Sequence, residues 1–519
     1  MRVTLLSTSD VHGYIRADDF RRPNINDAFG LARAATVIEQ LQHSNANEDM
    51  VLTIENGDFI QGSPLTNYVA RQPFSDSAIY GELAQKIGYD VRILGNHEFN
   101  YGRDYLTDLL ANDPHLLNAN IIDNQTGEPF IGKPYEIFEQ SGVRVGVIGL
   151  TTSYIPHWET PEHIRNLTFL DPVAVAEKYI AYLRPNVDVI AVAYHGGFSE
   201  DLETGEPLEP LTGENQGYQL LQLEGLDALI TGHQHREIAD VVNQVPTTQP
   251  GYRASHVGVI RLELDNQNGI KMGSAELVTT GLQLEQEEIV QMIEPWQKAT
   301  NEWLDQPVGH VGNNMHIDDH FEARLHNHPF IELVNRVQMD AGHTHIANTA
   351  LFNDEVQGLP DLVTLRDIMT NYIYPNTLVV EQLTGADIIA ALEINAQYFS
   401  VQTDGQLGVN QDYLVPKVQH YNYDIWSGID YTFDFSRPCG NRVQSVSYHG
   451  VPIVMDEVYE VAMNNYRASG AGDFPMFSVD KIVREIQRET ADLIGDYIMA
   501  HPEISISQPT NIQSVGYTK

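Results

Sequence analysis

The sequence predicts an α/β protein built from two domains. Its 519 residues are 42% hydrophobic and 19% charged, which is enough length and apolar content for two ordinary domain cores. In the first half, short apolar runs rich in β-branched residues alternate with stretches in which apolar residues recur at helical spacing. Strands that alternate with helices are typical of layered α/β domains.

Five apolar runs in the first half each stop at a small polar cluster. The runs are residues 3–6, 51–54, 91–94, 187–193 and 228–230. The clusters that follow them contain mainly Asp, Asn, His and Gly, and they are residues 10–13, 57–58, 95–98, 195–197 and 232–235. Each run has the length and composition of a strand, so each cluster is expected at the carboxyl end of a strand.

Further elements complete the prediction. Residues 143–150 and 257–264 read as strands, and residues 29–41 read as a helix because apolar residues recur at helical spacing. In the second half we predict strands at 377–383 and 431–435 and a helix at 387–396.

A Glu-rich, helix-like stretch, residues 284–303, marks the junction between the domains. We therefore place the first domain at residues 1–283, a linker helix and connection at 284–318, and the second domain at 319–519.

Charge and composition exclude several classes of protein. Lys and Arg total 30 against 71 Asp and Glu, and the formal net charge of -41 opposes binding to polymeric nucleic acid or anionic lipid. No run of about 18 apolar residues could cross a bilayer, and the lone Cys439 cannot close an intrachain disulfide. No apolar signal core follows Met1, so we expect a cytoplasmic protein without a membrane partner. The sequence leaves the oligomeric state open.

The strand-end clusters predict a metal centre. In open α/β folds the carboxyl ends of the strands meet at one crevice, so clusters that are distant in sequence converge. If strand geometry persists, Asp10 and His12 point to the same face, as do His233 and His235. Oxygen and imidazole donors without a thiolate suit zinc, manganese or iron. Two ions about 3.5–4 Å apart need a bridging carboxylate, for which Asp58 is the natural residue.

Each cluster also has a simpler explanation when it is taken alone. Asp and Gly are common in strand-to-helix turns, and a strand-end His such as His195 is often only a hydrogen-bonded side chain. Five clusters that all follow apolar runs favour the metal centre. The pair His343 and His345 mimics a metal motif but has no strand-end carboxylate near it in sequence, so we predict a structural role for it.

The ordered series of motifs resembles the calcineurin-like metallophosphoesterases. The series is Asp10-x-His12, Gly57-Asp58, Gly95-Asn96-His97-Glu98, His195 and Gly232-His233-x-His235. Within that group the chain is similar, over nearly its whole length, to the two-domain 5'-nucleotidase family. The resemblance implies an α/β (α+β) fold in which a four-layer αββα metallophosphoesterase domain precedes a C-terminal 5'-nucleotidase-type substrate domain.

The resemblance also implies the cofactors and their ligands. The cofactors would be two divalent metal ions, manganese or zinc, with iron as an alternative. Asp10, His12, Asp58 and His235 would bind the first ion, and Asp58, Asn96, His195 and His233 the second. A water whose pKa is lowered to about 7 would then attack phosphorus as hydroxide.

Two further residues would act in catalysis. By the resemblance, His97 would stabilise the transition state and protonate the leaving oxygen, a role that suits an imidazole. Many family members orient this His with an Asp three residues later, whereas this chain has Asn100. An amide accepts a hydrogen bond but brings no negative charge, so we expect the pKa of His97 to be raised less than in those relatives.

The second half would contact the nucleoside. Tyr466 matches a position at which the family stacks an aromatic ring on the base, and we take Tyr421 as its partner, with Tyr423 and Trp426 as alternatives. Asp473 matches the family's acidic residue near the base. The glycines beside Tyr466 favour a ligand site over simple core packing because they let a ligand approach the backbone closely.

One departure from the family pattern favours a particular branch. True 5'-nucleotidases have a Gly-Gly-x-Arg type segment that grips phosphate, and the corresponding residues 348–353 of this chain contain no Arg. Four runs, residues 350–353, 372–378, 421–424 and 465–468, resemble instead the 2',3'-cyclic-nucleotide 2'-phosphodiesterase/3'-nucleotidase branch. In the first run we take Asn353 as a substrate-binding residue.

The sequence thus predicts a metal-dependent hydrolase that opens a cyclic phosphate to a 3'-nucleotide and then removes the phosphate. The nearest alternative is a 5'-nucleotidase or UDP-sugar hydrolase. An alternative of another class is a non-catalytic nucleoside-binding protein on the same fold, which would be expected to have lost metal ligands.

Overall fold

The computed structural model describes the chain in two compact units, Met1–Asn301 and Glu302–Lys519. The described residues are 1–21, 27–44, 50–110, 112–157, 159, 161–209, 211–265, 269–312, 315–374, 376–415 and 418–518. Pro375, which belongs to the run 372–378, lies outside them. Among the described helices, none combines the length and the apolar character that a membrane span requires.

The first unit contains two six-stranded sheets and the helices that cover them. Its strands are β1 (Arg2–Thr8), β2 (Met50–Glu55), β3 (Val91–Ile93), β4 (Leu116–Leu117), β5 (Ile121–Asp123), β6 (Tyr135–Gln140), β7 (Val143–Thr151), β8 (Leu167–Phe169), β9 (Val189–His195), β10 (Ala228–Ile230), β11 (Glu237–Val242), β12 (Val245–Pro250), β13 (His256–Leu264) and β14 (Ile270–Thr279). Its helices are α1 (Leu31–Ser44), α2 (Pro64–Ala70), α3 (Ala78–Ile87), α4 (Arg103–Leu110), α5 (Pro172–Leu183) and α6 (Gly217–Leu220), and α7 (Glu287–Leu304) crosses the boundary between the units.

The two sheets lie face to face. The first has the order β14-β13-β1-β2-β3-β4 and the second β11-β12-β10-β9-β7-β6. Apolar residues from both inner faces, such as Leu5 and Ile54 of the first sheet and Val147 and Ala191 of the second, form one core. Helix α5 covers the outer face of the second sheet, and α1 contacts β13 of the first. The predicted four-layer αββα domain is confirmed.

Parallel strands aim their carboxyl ends at the same edge of this sandwich. β1, β2 and β3 are parallel neighbours in the first sheet, and β7, β9 and β10 are parallel neighbours in the second. The strands are buried on both faces, as parallel strands covered by helices and by a second sheet usually are. β9 extends to His195 because its pairing with β7 continues to the partners Thr151 and His195.

The second unit has its own core around a five-stranded sheet of order β21-β16-β25-β18-β26 and a four-stranded sheet of order β24-β23-β22-β27. Its strands are β15 (Pro307–His310), β16 (Ile346–Ala350), β17 (Leu362–Thr364), β18 (Thr377–Thr384), β19 (Phe399–Val401), β20 (Leu407–Val409), β21 (Asp424–Ser427), β22 (Ile429–Asp434), β23 (Val443–Tyr448), β24 (Val451–Pro452), β25 (Val458–Asn464), β26 (Ile482–Glu489) and β27 (Ile512–Val515). Its helices are α8 (His320–His326), α9 (Pro329–Gly342), α10 (Leu365–Asn371), α11 (Gly385–Asn395), α12 (Asn465–Ala468) and α13 (Thr490–Ala500).

The predicted elements lie within three residues of the observed ones. The helix predicted at 387–396 begins earlier, at Gly385, because Thr384 caps it: the Thr384 side chain accepts a hydrogen bond from the Asp387 backbone, and the Asp387 carboxylate accepts one from the Thr384 backbone. Such a reciprocal capping box satisfies two backbone donors that a helix start otherwise leaves unpaired.

Candidate metal centre

The structure brings the five predicted strand-end clusters together. Asp10, Asp58 and Asn96 follow the parallel strands β1, β2 and β3, His195 is the last residue of β9, and His233 follows β10. Two groups of potential ligands form at this edge: one is Asp10, His12 and His235, and the other is Asp58, His195 and His233. Within each group the ligand atoms lie within 4.8 Å of one another.

Asp58 lies between the two groups. Its Oδ2 is 3.2 Å from His195 Nε2 in the second group and 3.8 Å from His12 Nε2 in the first. Asn96 joins the second group, because its Oδ1 is 3.1 Å from His195 Nε2 and 2.9 Å from His233 Nδ1. The geometry therefore matches a bridging carboxylate with an additional amide oxygen on one side.

Loop conformation, not strand alternation, pairs these ligands, and this corrects our expectation that strand geometry persists. β1 ends at Thr8 and β10 ends at Ile230, before the ligands. Asp10, His12, Asp58, His233 and His235 all have a positive φ, between 51° and 71°. His233 and His235 consequently belong to different groups. A left-handed backbone costs a residue with a side chain on the order of 1 kcal/mol, so the surrounding structure must hold these loops in place.

Backbone carbonyls orient two of the imidazole rings. His12 Nδ1 is 2.9 Å from the carbonyl of Gln61, and His195 Nδ1 is 2.7 Å from that of Asn56. A carbonyl only accepts, so each Nδ1 donates, and in the neutral ring each Nε2 presents a lone pair to the cluster. This is the arrangement that metal-ligating histidines usually adopt.

The electrostatics of the cluster fit a divalent cation. Burial raises the pKa of Asp10 to about 6 and lowers that of His12 to about 4. Burial alone would lower the pKa of His195, but the carboxylates of Asp58 and Asp10 raise it to about 10. The buried carboxylates thus need a compensating positive charge, and the imidazole lone pairs and carboxylate oxygens are the donors that zinc and manganese accept.

Glu98 holds the loops that carry the second group, a role that the sequence analysis did not assign to it. Its Oε2 accepts hydrogen bonds from the backbone N–H groups of Asp58 at 2.8 Å and Gly95 at 2.6 Å. Its Oε1 accepts from Phe59 at 2.7 Å and Ile60 at 3.3 Å. The carboxylate is buried, so it ties the loop after β2 to the loop after β3.

His97 lies beside the cluster. Its backbone N–H donates to Asp58 Oδ1 at 2.8 Å, and its ring centroid is 5.1 Å from that of His12. The ring Nδ1 is 2.7 Å from Asn100 Oδ1, so the predicted pair of His97 and Asn100 is in contact. Asn100 Nδ2 donates in turn to Glu159 at 2.7 Å.

Two more carboxylates at the site escaped the sequence analysis. Glu214 Oε1 is 2.9 Å from His233 Nε2, and Glu159 contacts Asn100. Both lie in loops far from the motifs in sequence, so no local pattern identifies them. His343 and His345 belong to no such group of potential ligands among the described residues, and His343 ends α9 with a left-handed backbone.

In the second unit, exposure separates the candidate aromatic platforms. The Tyr466 residue is 44% exposed and Tyr421 is half-buried, whereas Tyr423 and Trp426 are 0% exposed. A ring without accessible surface cannot stack on a ligand, so the alternatives Tyr423 and Trp426 are excluded. Tyr423 instead donates its hydroxyl to the carbonyl of Arg324 at 3.0 Å inside the core.

A buried guanidinium connects the loops of Tyr421 and Tyr466. Arg467 follows Tyr466 in α12, and its Nη2 donates to the carbonyl of Tyr421 at 2.9 Å. Its Nε is 2.7 Å from Asp424, Nη1 donates to the carbonyl of Ala471, and the guanidinium lies over the ring of Phe474. The backbones of the two half-exposed tyrosines are thereby held together.

Gly472, one of the neighbouring glycines, has a different role from the predicted one. A Cβ on Gly472 would lie 2.2 Å from Asn422 Oδ1 and 2.5 Å from Arg467 Nη1. The space beside the Gly472 Cα is therefore occupied by protein side chains and not by a ligand. Asp473 is exposed. The side-chain oxygen of Asn353 accepts from the backbone of Glu355 and of Val356, so contact with a substrate falls to its amide NH2.

Two family models match the chain. The calcineurin-like phosphoesterase model matches residues 3–237, and the model of the 5'-nucleotidase C-terminal domain matches residues 307–479. The first covers the metal-centre residues, and the second covers Tyr421 and Tyr466.

Relatives match both units. The chain is 29% identical over 577 aligned residues to a 2',3'-cyclic-nucleotide 2'-phosphodiesterase/3'-nucleotidase of Haemophilus influenzae, covering 96% of this chain and 84% of the relative. It is 24% identical to a 5'-nucleotidase of Vibrio vulnificus, covering 91% and 86%. A crystal structure from Staphylococcus aureus, assigned to the 5'-nucleotidases and solved in complex with alpha-ketoglutarate, is 37% identical with a TM-score of 0.87, covering 99% of this chain and 100% of that one.

We expect Glu98→Gln to destabilise the first unit and weaken metal binding. A glutamine amide has one acceptor oxygen, so two of the four backbone N–H groups would lose their acceptor, at an expected loss on the order of 2–3 kcal/mol in unfolding free energy. Urea unfolding and calorimetric titration with Zn²⁺ measure the two effects. The exposed Glu82→Gln on α3 is the control. Unchanged unfolding and Zn²⁺ affinity would contradict the role of Glu98.

We expect Gly95→Ala to lower metal affinity by displacing Asp58. A Cβ at this position would lie 2.2 Å from Asp58 Oδ1 and 2.5 Å from the Asp58 backbone nitrogen. The matched control is Gly81→Ala in α3, where a Cβ would meet nothing within 4 Å. Calorimetric titration with Mn²⁺ should show weaker binding for Gly95→Ala only, and equal affinities for the two variants would refute the close contact.

Proposed function

The chain belongs to the family of phosphoester hydrolases that join a calcineurin-like phosphoesterase domain to a 5'-nucleotidase C-terminal domain, and we propose that it is a 2',3'-cyclic-nucleotide 2'-phosphodiesterase and 3'-nucleotidase. The observation that carries the proposal is the pair of donor groups that meet at Asp58. Every expected metal ligand is present in these two groups. The alternative of a non-catalytic nucleoside-binding protein predicts that metal ligands have been lost, and the residues do not support it.

The residues divide the chemistry between them. Asp10, His12, Asp58 and His235 would hold one divalent cation, and Asp58, Asn96, His195 and His233 the other. When bound, the cations supply a water of lowered pKa as nucleophile and positive charge for the phosphoryl oxygens. His97 lies beside these groups. We assign His97 the role of proton donor to the leaving ribose oxygen, which receives the proton as the bond between that oxygen and phosphorus breaks.

Residues 348–353 stand where 5'-nucleotidases have the phosphate-binding Gly-Gly-x-Arg segment, and they support the cyclic-nucleotide branch. Residues of this segment form β16, which is buried throughout and contains no Arg. The nearby Arg324 is already engaged: it pairs with Asp354 at 2.6 Å and donates to the carbonyl of Leu351 at 3.1 Å. A substrate with an external 5'-phosphate would lack the guanidinium that the 5'-nucleotidase pattern provides.

Tyr421 and Tyr466 are proposed to hold the base between them, with Asp473 and the amide of Asn353 contributing polar contacts. Stacking recognises the face of any base, so this proposal predicts broad tolerance of the base. The metal identity, manganese or zinc, belongs to the same proposal. The cytoplasmic location stays a prediction.

The proposal is tested by measuring metal content and turnover on one preparation. We expect two divalent ions per chain, loss of activity on dialysis against a chelator, and recovery with Mn²⁺ or Zn²⁺. Turnover should favour 2',3'-cAMP and 3'-AMP over 5'-AMP and UDP-glucose. Preference for 5'-AMP or UDP-glucose would replace the proposal by the nucleotidase or sugar-hydrolase alternative. Nucleoside binding without any turnover by the metal-loaded protein would favour the non-catalytic alternative.

Tyr466→Ala should raise KM for nucleotides about tenfold while leaving kcat nearly unchanged, because a stacked base contributes roughly 1–3 kcal/mol of binding. Tyr421→Ala should do the same. Tyr182→Ala is the control, since Tyr182 is 61% exposed on α5 of the first unit. KM values that stay at the wild-type level in both variants would refute the base-stacking assignment.

A further inference from the structure

A buried carboxylate, Glu159, lies behind the residue that replaces the usual aspartate partner of His97. Asn100 Nδ2 donates to Glu159 Oε2 at 2.7 Å, and Asn100 Oδ1 is 2.7 Å from His97 Nδ1. The other Glu159 oxygen, Oε1, is 2.8 Å from Nδ1 of His163. We call these four residues, His97, Asn100, Glu159 and His163, the His97 relay.

The chemistry of the groups sets the direction of every hydrogen bond in the relay. An ionised carboxylate only accepts, so Glu159 must face the NH2 of Asn100. The Asn100 oxygen is then turned toward His97, and it only accepts, so His97 Nδ1 must carry a hydrogen. The Nε2 atom of His97 is left as the position that holds and releases the second proton.

We propose that Glu159 is a positioning residue that acts through Asn100 to fix the ring orientation and tautomer of His97. Its side chain is only 6% exposed, and an ionic contact with His163 fixes its second oxygen. Many relatives have a carboxylate in direct contact with this histidine. This chain also has a carboxylate, but the amide of Asn100 lies between it and His97.

This inference rests on the proposed phosphoester hydrolysis, in which His97 gives a proton to the leaving oxygen. As the phosphorus–oxygen bond breaks, the proton on Nε2 moves to that oxygen, and His97 is left neutral with its hydrogen on Nδ1. Asn100 Oδ1 accepts a hydrogen bond from the Nδ1–H group of that neutral tautomer. The relay therefore stabilises the form of the ring that the step produces.

The decisive experiment is reciprocal rescue between positions 100 and 159. Glu159→Gln removes the constraint on the Asn100 amide, which can then flip and turn its NH2 toward His97. Asn100→Asp places two carboxylates in contact. In the double variant, the new amide at position 159 donates to the new carboxylate at position 100, which is an acceptor in either orientation. We expect each single variant to lower kcat on 2',3'-cAMP about tenfold or more, and the double variant to recover to within about threefold of wild type.

Two readouts separate positioning of the proton donor from a merely structural effect. The single variants should keep wild-type KM and metal content. Glu159→Gln should also keep nearly full kcat on bis(p-nitrophenyl) phosphate, because p-nitrophenolate leaves without receiving a proton. The control is Glu162→Gln, on a carboxylate three residues away that is 74% exposed. Losses that multiply in the double variant, or that are equal on both substrates, would overturn the inference.

A third measurement does not depend on activity. In the zinc-loaded protein with 15N-labelled histidine, long-range 1H–15N spectra report which ring nitrogen of His97 carries the hydrogen, and His97→Gln identifies the signal. We expect hydrogen on Nδ1 in the wild type and a mixture of tautomers in Glu159→Gln. Hydrogen on Nε2 alone in the neutral wild-type ring would overturn the inference. If the wild type hydrolyses no phosphoester yet shows Nδ1–H, the proposed function fails while the geometry of the relay stands.

Discussion

The buried carboxylate of Glu98 is the interaction on which the metal centre depends. Four backbone N–H groups, from the loop after β2 and the loop after β3, converge on its two oxygens. These loops carry Asp58, Asn96 and His97, so one side chain sets the spacing between the proposed bridging carboxylate, the proposed amide ligand and the proposed proton donor. Fixing a site through backbone contacts leaves the functional side chains free to face the reaction.

The metal centre contains features that cost folding free energy. Five of its donors have a left-handed backbone, and Asp10, His12, Asp58 and His195 are buried where charge is poorly solvated. Carbonyls of Gln61 and Asn56 fix two rings with their lone pairs toward the cluster. Such an arrangement is favourable when a cation offsets the burial of the carboxylates, which links the stability of these loops to metal binding.

In the second unit, a buried charged side chain likewise positions the loops that carry the aromatic residues. Arg467 is buried, pairs with Asp424 and donates to the backbone of Tyr421, while its neighbour Tyr466 remains exposed. In both units a buried charged group therefore positions loops, and the residues proposed to meet the substrate lie beside it. The His97 relay extends this principle to a side chain, since a buried carboxylate orients an amide that in turn orients an imidazole.

The sequence by itself determined the fold class, the strands and the order of the donor clusters. Apolar runs that end in Asp, Asn and His are local patterns, and parallel strands place their ends at one edge of a sheet for general reasons. Residue spacing could not determine that His233 and His235 separate into different groups, which only the family resemblance implied, because a positive φ in a loop follows from tertiary contacts. The sequence also could not distinguish the half-buried Tyr421 from the buried Tyr423, since both lie in the same aromatic motif. Glu159 and Glu214 reach the site from distant loops, so only the tertiary structure reveals them: a side chain's contacts depend on how the whole chain packs around it.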